Sequence, residues 1–192
     1  MPGTGGELAL HLVEKFELEG VQVVRGKAGE DFYSPDKKIV SLGPQHYDKK
    51  SLAAVAVAAH EVGHAIQFIR QEPVSRLREK YLGQAFRIRR IGSYLLTVAP
   101  LVTLMLRAPS VMLFFVLAGI ATMLISVLMY VAILPEEYDA SFNKALPILA
   151  TGYLPAHHMP AVNQILRACA LTYVAGALAD VLNLWRWIRF LR

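Results

Sequence analysis

The hydrophobic pattern of this 192-residue chain changes period several times. Between Gly5 and Glu19, Leu8, Leu12, Val13 and Phe16 recur at helical spacing, which predicts a short amphipathic helix stopped by Gly20. Val21–Arg25 and Lys38–Leu42 are short β-type runs, with Gly26, Gly29 and Ser34-Pro35-Asp36 between them. They predict a small two-stranded β element. Ser51 is placed to cap a helix running to about Arg70. From Leu52 to Ala59 that helix is apolar on every side, so it should be buried all round.

The character then changes sharply. Ser75–Arg90 mixes Arg76, Arg78, Lys80, Arg87, Arg89 and Arg90 with Leu77, Tyr81, Leu82, Phe86 and Ile88. This is a basic amphipathic helix suited to an anionic membrane face. Two uncharged runs follow, Ile91–Leu106 and Val111–Leu134, separated by Arg107-Ala-Pro-Ser. The second is long enough for a hydrocarbon core of about 30 Å, and the first contains Pro100. Together they predict a transmembrane hairpin. Six basic residues precede it and Arg107 marks its tip, which places the start of the hairpin in the cytoplasm. Further on, Ala168–Ala179 is apolar and rich in small residues, then come Asp180, Asn183 and WRWIRFLR. Ala168–Leu184 either crosses the membrane or ends at the same interface, with Trp185 and Trp187 as anchors.

Composition agrees with a membrane protein: 55% of residues are apolar and 18% charged, where about a quarter is usual. The net charge of +5 suits anionic lipid or nucleic acid equally. The basic residues flank membrane runs without an aromatic-interleaved patch, so no nucleic-acid partner is expected. The lone Cys169 excludes an internal disulfide framework and Cys-based zinc sites. The start, MPGTGGELAL, has no secretory pattern.

Chemistry concentrates in AAHEVGHAIQ. On a helix His60 and His64 share a face and can converge on one ion, with nitrogens about 2.0–2.1 Å away. Glu61 lies beside that face, placed to take a proton from an attacking water and pass it to a departing amine. Two histidines and a glutamate on a buried apolar helix would otherwise leave costly unsatisfied polar groups. A third protein ligand is needed. The candidates are His157 or His158, Asp180, and the cluster Glu136, Glu137 and Asp139 in LPEEYDASFNKAL. A hairpin that crosses twice returns the cluster to the side bearing HEVGH, which favours it.

With these motifs in this order, the chain resembles the YugP-type neutral zinc metallopeptidases and, more distantly, the HtpX and CAAX-prenyl-protease class of membrane gluzincins. The likeness rests on Thr4-Gly5, YSPDKKIVSL, AAHEVGHAIQ, the hairpin, LPEEYDASFNKAL and LTYVAGALA. It implies His60 and His64 as zinc ligands, Glu137 as the third and Glu61 as catalytic base. Position 141 carries an aspartate in the distant gluzincins, where it orients a zinc-binding histidine. Ser141 is a weaker partner for that role, which Asp139 or Asn143 could supply instead. Tyr173 is a possible donor to the oxyanion, or a core tyrosine whose hydroxyl is tied to a neighbour. A hydrophobic helix that often precedes the Thr-Gly helix in relatives has no counterpart here.

The expected protein is therefore a mainly α, helical membrane protein with a HExxH zinc helix of gluzincin type. Its parts are residues 1–90, the hairpin 91–134 and residues 135–192, acting as one catalytic unit. It would be an integral protein of the bacterial inner or plasma membrane, cleaving peptide or protein substrates with Zn²⁺ on the cytoplasmic side. The strand Lys38–Leu42 could align an extended substrate along its edge. The rival is a non-catalytic zinc-binding membrane protein acting as an assembly or quality-control partner. A metal transporter would need ionisable residues inside the runs, which have none.

Overall fold

The computed structural model describes residues 3–190, with the side chains of Pro109 and of residues 180–190 outside that description. Helix α1 (Gly5–Lys15) opens on a capping box. Thr4 Oγ1 accepts from the Glu7 amide at 3.1 Å, and the Glu7 carboxylate accepts from the Thr4 amide at 2.7 Å. The helix ends four residues before the sequence suggests, because Glu17 takes a left-handed conformation (φ 51°) and the Leu18 amide turns back to the Val13 carbonyl. Three strands follow: β1 (Gln22–Arg25), β2 (Phe32–Ser34) and β3 (Ile39–Leu42). The sheet order is β1-β3-β2, with β1 parallel and β2 antiparallel to β3.

That order corrects two expectations. The sheet has a third strand, β2, hidden in a segment where turn residues masked a run of only three. The strand at 38–42 also offers no edge to a substrate, because both its sides are already paired.

Helix α2 (Pro44–Tyr47) leads to α3 (Leu52–Ile69), capped as expected by Ser51 Oγ accepting from the Ala54 amide at 3.1 Å. α3 is the axis of the first of two compact units, which comprises residues 3–76 and 134–171. Ala9 and Leu12 of α1 and Tyr33, Val40 and Leu42 of the sheet share one core with Val55, Ala59, Val62 and Ile66 of α3. Leu149 of α6 (Leu146–Ala150) joins that core, as do Val162 and Leu166 of α7 (Met159–Phe190). Each large aliphatic side chain buried there contributes about 1.5–3 kcal/mol.

The second unit comprises residues 77–133 and 172–190 and contains most of α4 (Arg76–Leu106) and α5 (Pro109–Tyr138). The basic segment and the first apolar run form one unbroken helix with Pro100 inside it. α4 and α5 approach closely at Gly92, where a Cβ would stand 2.5 Å from Thr122 Oγ1 and 3.0 Å from the Gly119 carbonyl. Elsewhere these helices turn large apolar side chains outward, including Leu104 (76% exposed), Met105 (74%) and Phe114 (68%). Facing water they would form a patch far larger than soluble proteins carry. Among the described residues four helices are long and apolar enough to cross a membrane; α3 is one, but its apolar surface is already covered by protein.

Between α5 and α6 the chain winds as a π-helix over Asp139–Ala145. This segment lies against α3 at Gly63, where a Cβ would stand 2.8 Å from the Ala140 carbonyl. Gly63→Ala should therefore force the two segments apart and cost about 1–3 kcal/mol. Gly83→Ala, where the added methyl meets nothing within 4 Å, should be neutral or stabilising by about 0.5–1 kcal/mol. Thermal unfolding of both variants in one detergent checks the contrast.

Candidate metal centre

His60, Glu61 and His64 lie on the buried stretch of α3. Glu137 comes from the end of α5, two residues after Pro135. All four are nearly inaccessible, with residual exposure between 2% and 7%. Three electron-rich atoms meet: His60 Nε2 and His64 Nε2 are 3.2 Å apart, and Glu137 Oε2 lies 3.4 Å and 3.3 Å from them. Two ligands about 2.0–2.1 Å from a tetrahedral ion stand about 3.3 Å apart, so the triangle has the edge length of three corners of a zinc tetrahedron. Among the described residues these three form the one group of this kind. The donor set, two imidazoles and one carboxylate, fits zinc and leaves a fourth position for water.

Each imidazole is fixed through its other nitrogen. Ser141 Oγ donates its one hydrogen to the Leu166 carbonyl at 3.1 Å, so it accepts from His60 Nδ1–H at 3.0 Å. His64 Nδ1 lies 3.0 Å from Gln67 Oε1. The Gln67 amide nitrogen donates to the Glu136 carbonyl and to Asp139 Oδ2, both at 2.9 Å. Glu61 Oε2 is buried with no hydrogen-bond partner among the described residues. A carboxylate oxygen left bare in the protein interior is costly unless water or a ligand meets it.

Of the other candidate third ligands, His157 and His158 lie in a turn before α7, their rings 4.0 Å apart, outside the triangle. Asp139 accepts from Gln67, Asn143 and Lys144 instead of facing the triangle. Glu136 is buried with Oε1 3.9 Å from His64 Nδ1. The side chains of Asp180, Trp185 and Trp187 lie outside the described residues. Tyr173 belongs to the second unit, where Arg78 donates to its hydroxyl at 3.2 Å and its ring stacks on Tyr130. Ser141 takes the contact with His60, while Asn143 bonds to Asp139 and reaches neither histidine directly. The HExxH spacing does not single out Gln67, although three residues from His64 and seven from His60 put it on the same side of α3.

The whole chain, residues 1–192, matches the model of a family described as "Putative neutral zinc metallopeptidase". The chain belongs to that family. Among curated proteins this metallopeptidase-family chain is similar to "Putative membrane protease YugP" of Bacillus subtilis (strain 168). The two are 32% identical over 192 residues, 96% of this chain and 79% of that protein. No solved structure matches the chain. Zinc is thus the metal that both the family and the donor set indicate.

Ser141→Ala would leave the buried His60 Nδ1–H without its acceptor. Urea unfolding of the metal-free protein should register a loss of about 1–3 kcal/mol.

Proposed function

We propose that the chain is an integral membrane zinc metallopeptidase of gluzincin type, with His60, His64 and Glu137 holding the metal and Glu61 serving as general base. The observation that carries this reading is the triangle of donors at 3.2–3.4 Å beside a buried, unpartnered glutamate oxygen. Zinc bound there supplies a Lewis acid toward water and toward the oxygen of a scissile carbonyl.

The chain's own residues do the rest. Ser141 keeps the Nε2 atom of His60 unprotonated and turned toward the metal. Glu61 Oε2 takes the proton of the attacking water as its oxygen bonds to the carbonyl carbon. It then delivers that proton to the amide nitrogen as the C–N bond breaks. The apolar surroundings of α3 limit access of bulk water, which strengthens each of these charge interactions.

The substrate is a peptide or protein, and the outward apolar surfaces of α4 and α5 make the lipid bilayer the second partner. The basic residues at the start of α4, against the single Arg107 between α4 and α5, favour a cytoplasmic active site.

In purified protein, Glu61→Gln should keep stoichiometric zinc and lower peptide cleavage by about 10²–10⁴-fold. Glu137→Ala should lose zinc. Equal zinc in wild type and Glu137→Ala would remove Glu137 from the ligand set. Zinc binding without cleavage of any peptide by wild type would favour a non-catalytic zinc-binding membrane protein.

A further inference from the structure

We propose that Gln67 is the positioning residue for His64, its amide deciding which imidazole nitrogen carries the proton and which is left for the metal. The inference rests on the reading of His64 as a metal ligand and deepens it. A primary amide can be turned either way, so something must choose. Here both groups at its nitrogen end, the Glu136 carbonyl and the Asp139 carboxylate, are acceptors at 2.9 Å. Neither could receive the amide oxygen without two lone pairs facing each other. The nitrogen therefore faces them, and Oε1 is left 3.0 Å from His64 Nδ1, where only an N–H can meet it. The remaining nitrogen, Nε2, carries its lone pair into the triangle.

The anchor is itself held. Asp139 also accepts from Asn143 Nδ2 at 2.7 Å and Lys144 Nζ at 3.0 Å, and Lys144 bridges to Glu72 at 2.9 Å. Glu72 lies just beyond the end of α3, so the chain of contacts leaves that helix through Gln67 and returns to its end. Gln67 is fully buried at the centre of this loop, which removes water as a competing partner. The alternative acceptor, Glu136 Oε1, stands 3.9 Å from His64 Nδ1, too far for a hydrogen bond. His60 is held by a different route, through Ser141 to the Leu166 carbonyl. Both ligating histidines thus lean on neutral acceptors. A neutral acceptor donates less electron density to an imidazole than a carboxylate does.

Two measurements on the purified full chain in detergent test this: zinc affinity by chelator competition, and ¹⁵N NMR of the imidazoles in the zinc-loaded protein. Zinc-loaded wild type should show His64 bound through Nε2 with its proton on Nδ1. Gln67→Met, which keeps the volume but no acceptor, should weaken zinc binding by about 10–100-fold. Zinc bound at His64 Nδ1, with the proton on Nε2, would overturn the inference. Zinc binding equal in wild type and Gln67→Met would overturn it alone, whereas wild type that binds no zinc would sink the ligand assignment beneath it. The tautomer measurement uses the wild-type chain, so it decides even if Gln67→Met does not fold.

Discussion

The structure turns on one constraint: a helix with no wet face carries two imidazoles and a carboxylate. α3 is covered by α1, the sheet, the π segment and α7, so its polar groups can be satisfied only by other protein atoms or by an ion. Burying such groups unpaired costs several kcal/mol each. Glu137 meets the histidines from α5, and the three donor atoms lie too close together to be stable as bare lone pairs. A cation between them resolves the repulsion and the burial at once. The helix of high apolar content and the metal site are therefore two sides of one requirement.

That requirement explains why the elements around α3 take irregular forms. The π segment at Asp139–Ala145 brings Ser141 to His60 while Glu137, four residues earlier, faces both histidines. Gly63, between Glu61 and His64, lets the Ala140 backbone approach where a side chain would hold it off. Wide helical turns of this kind recur at functional sites because they re-aim side chains that a regular helix would spread around its axis.

Much of this was legible in the sequence because it depends on local spacing. His60 and His64 four apart, Ser51 as a cap and the long uncharged runs are all short-range signals. Glu137 required the resemblance, since topology alone could not separate it from Glu136 and Asp139. The roles of Ser141 and Gln67 were harder to see. Serine is an ordinary donor until a carbonyl such as that of Leu166 uses up its hydrogen, and that carbonyl lies 25 residues away. The orientation of Gln67 depends on two acceptors some 70 residues away, at Glu136 and Asp139. Strand β2 escaped for another reason: three residues are too few to show a period, and pairing with β3 alone makes them a strand.

The account has one claim on which the others rest, that zinc is held by nitrogen and oxygen from His60, His64 and Glu137. Zinc K-edge X-ray absorption on the purified, detergent-solubilised chain addresses it directly. The account predicts a shell of nitrogen and oxygen at about 2.0–2.1 Å, with the multiple-scattering signature of two imidazoles. A sulfur scatterer at about 2.3 Å would bring Cys169 into the shell and contradict the assignment.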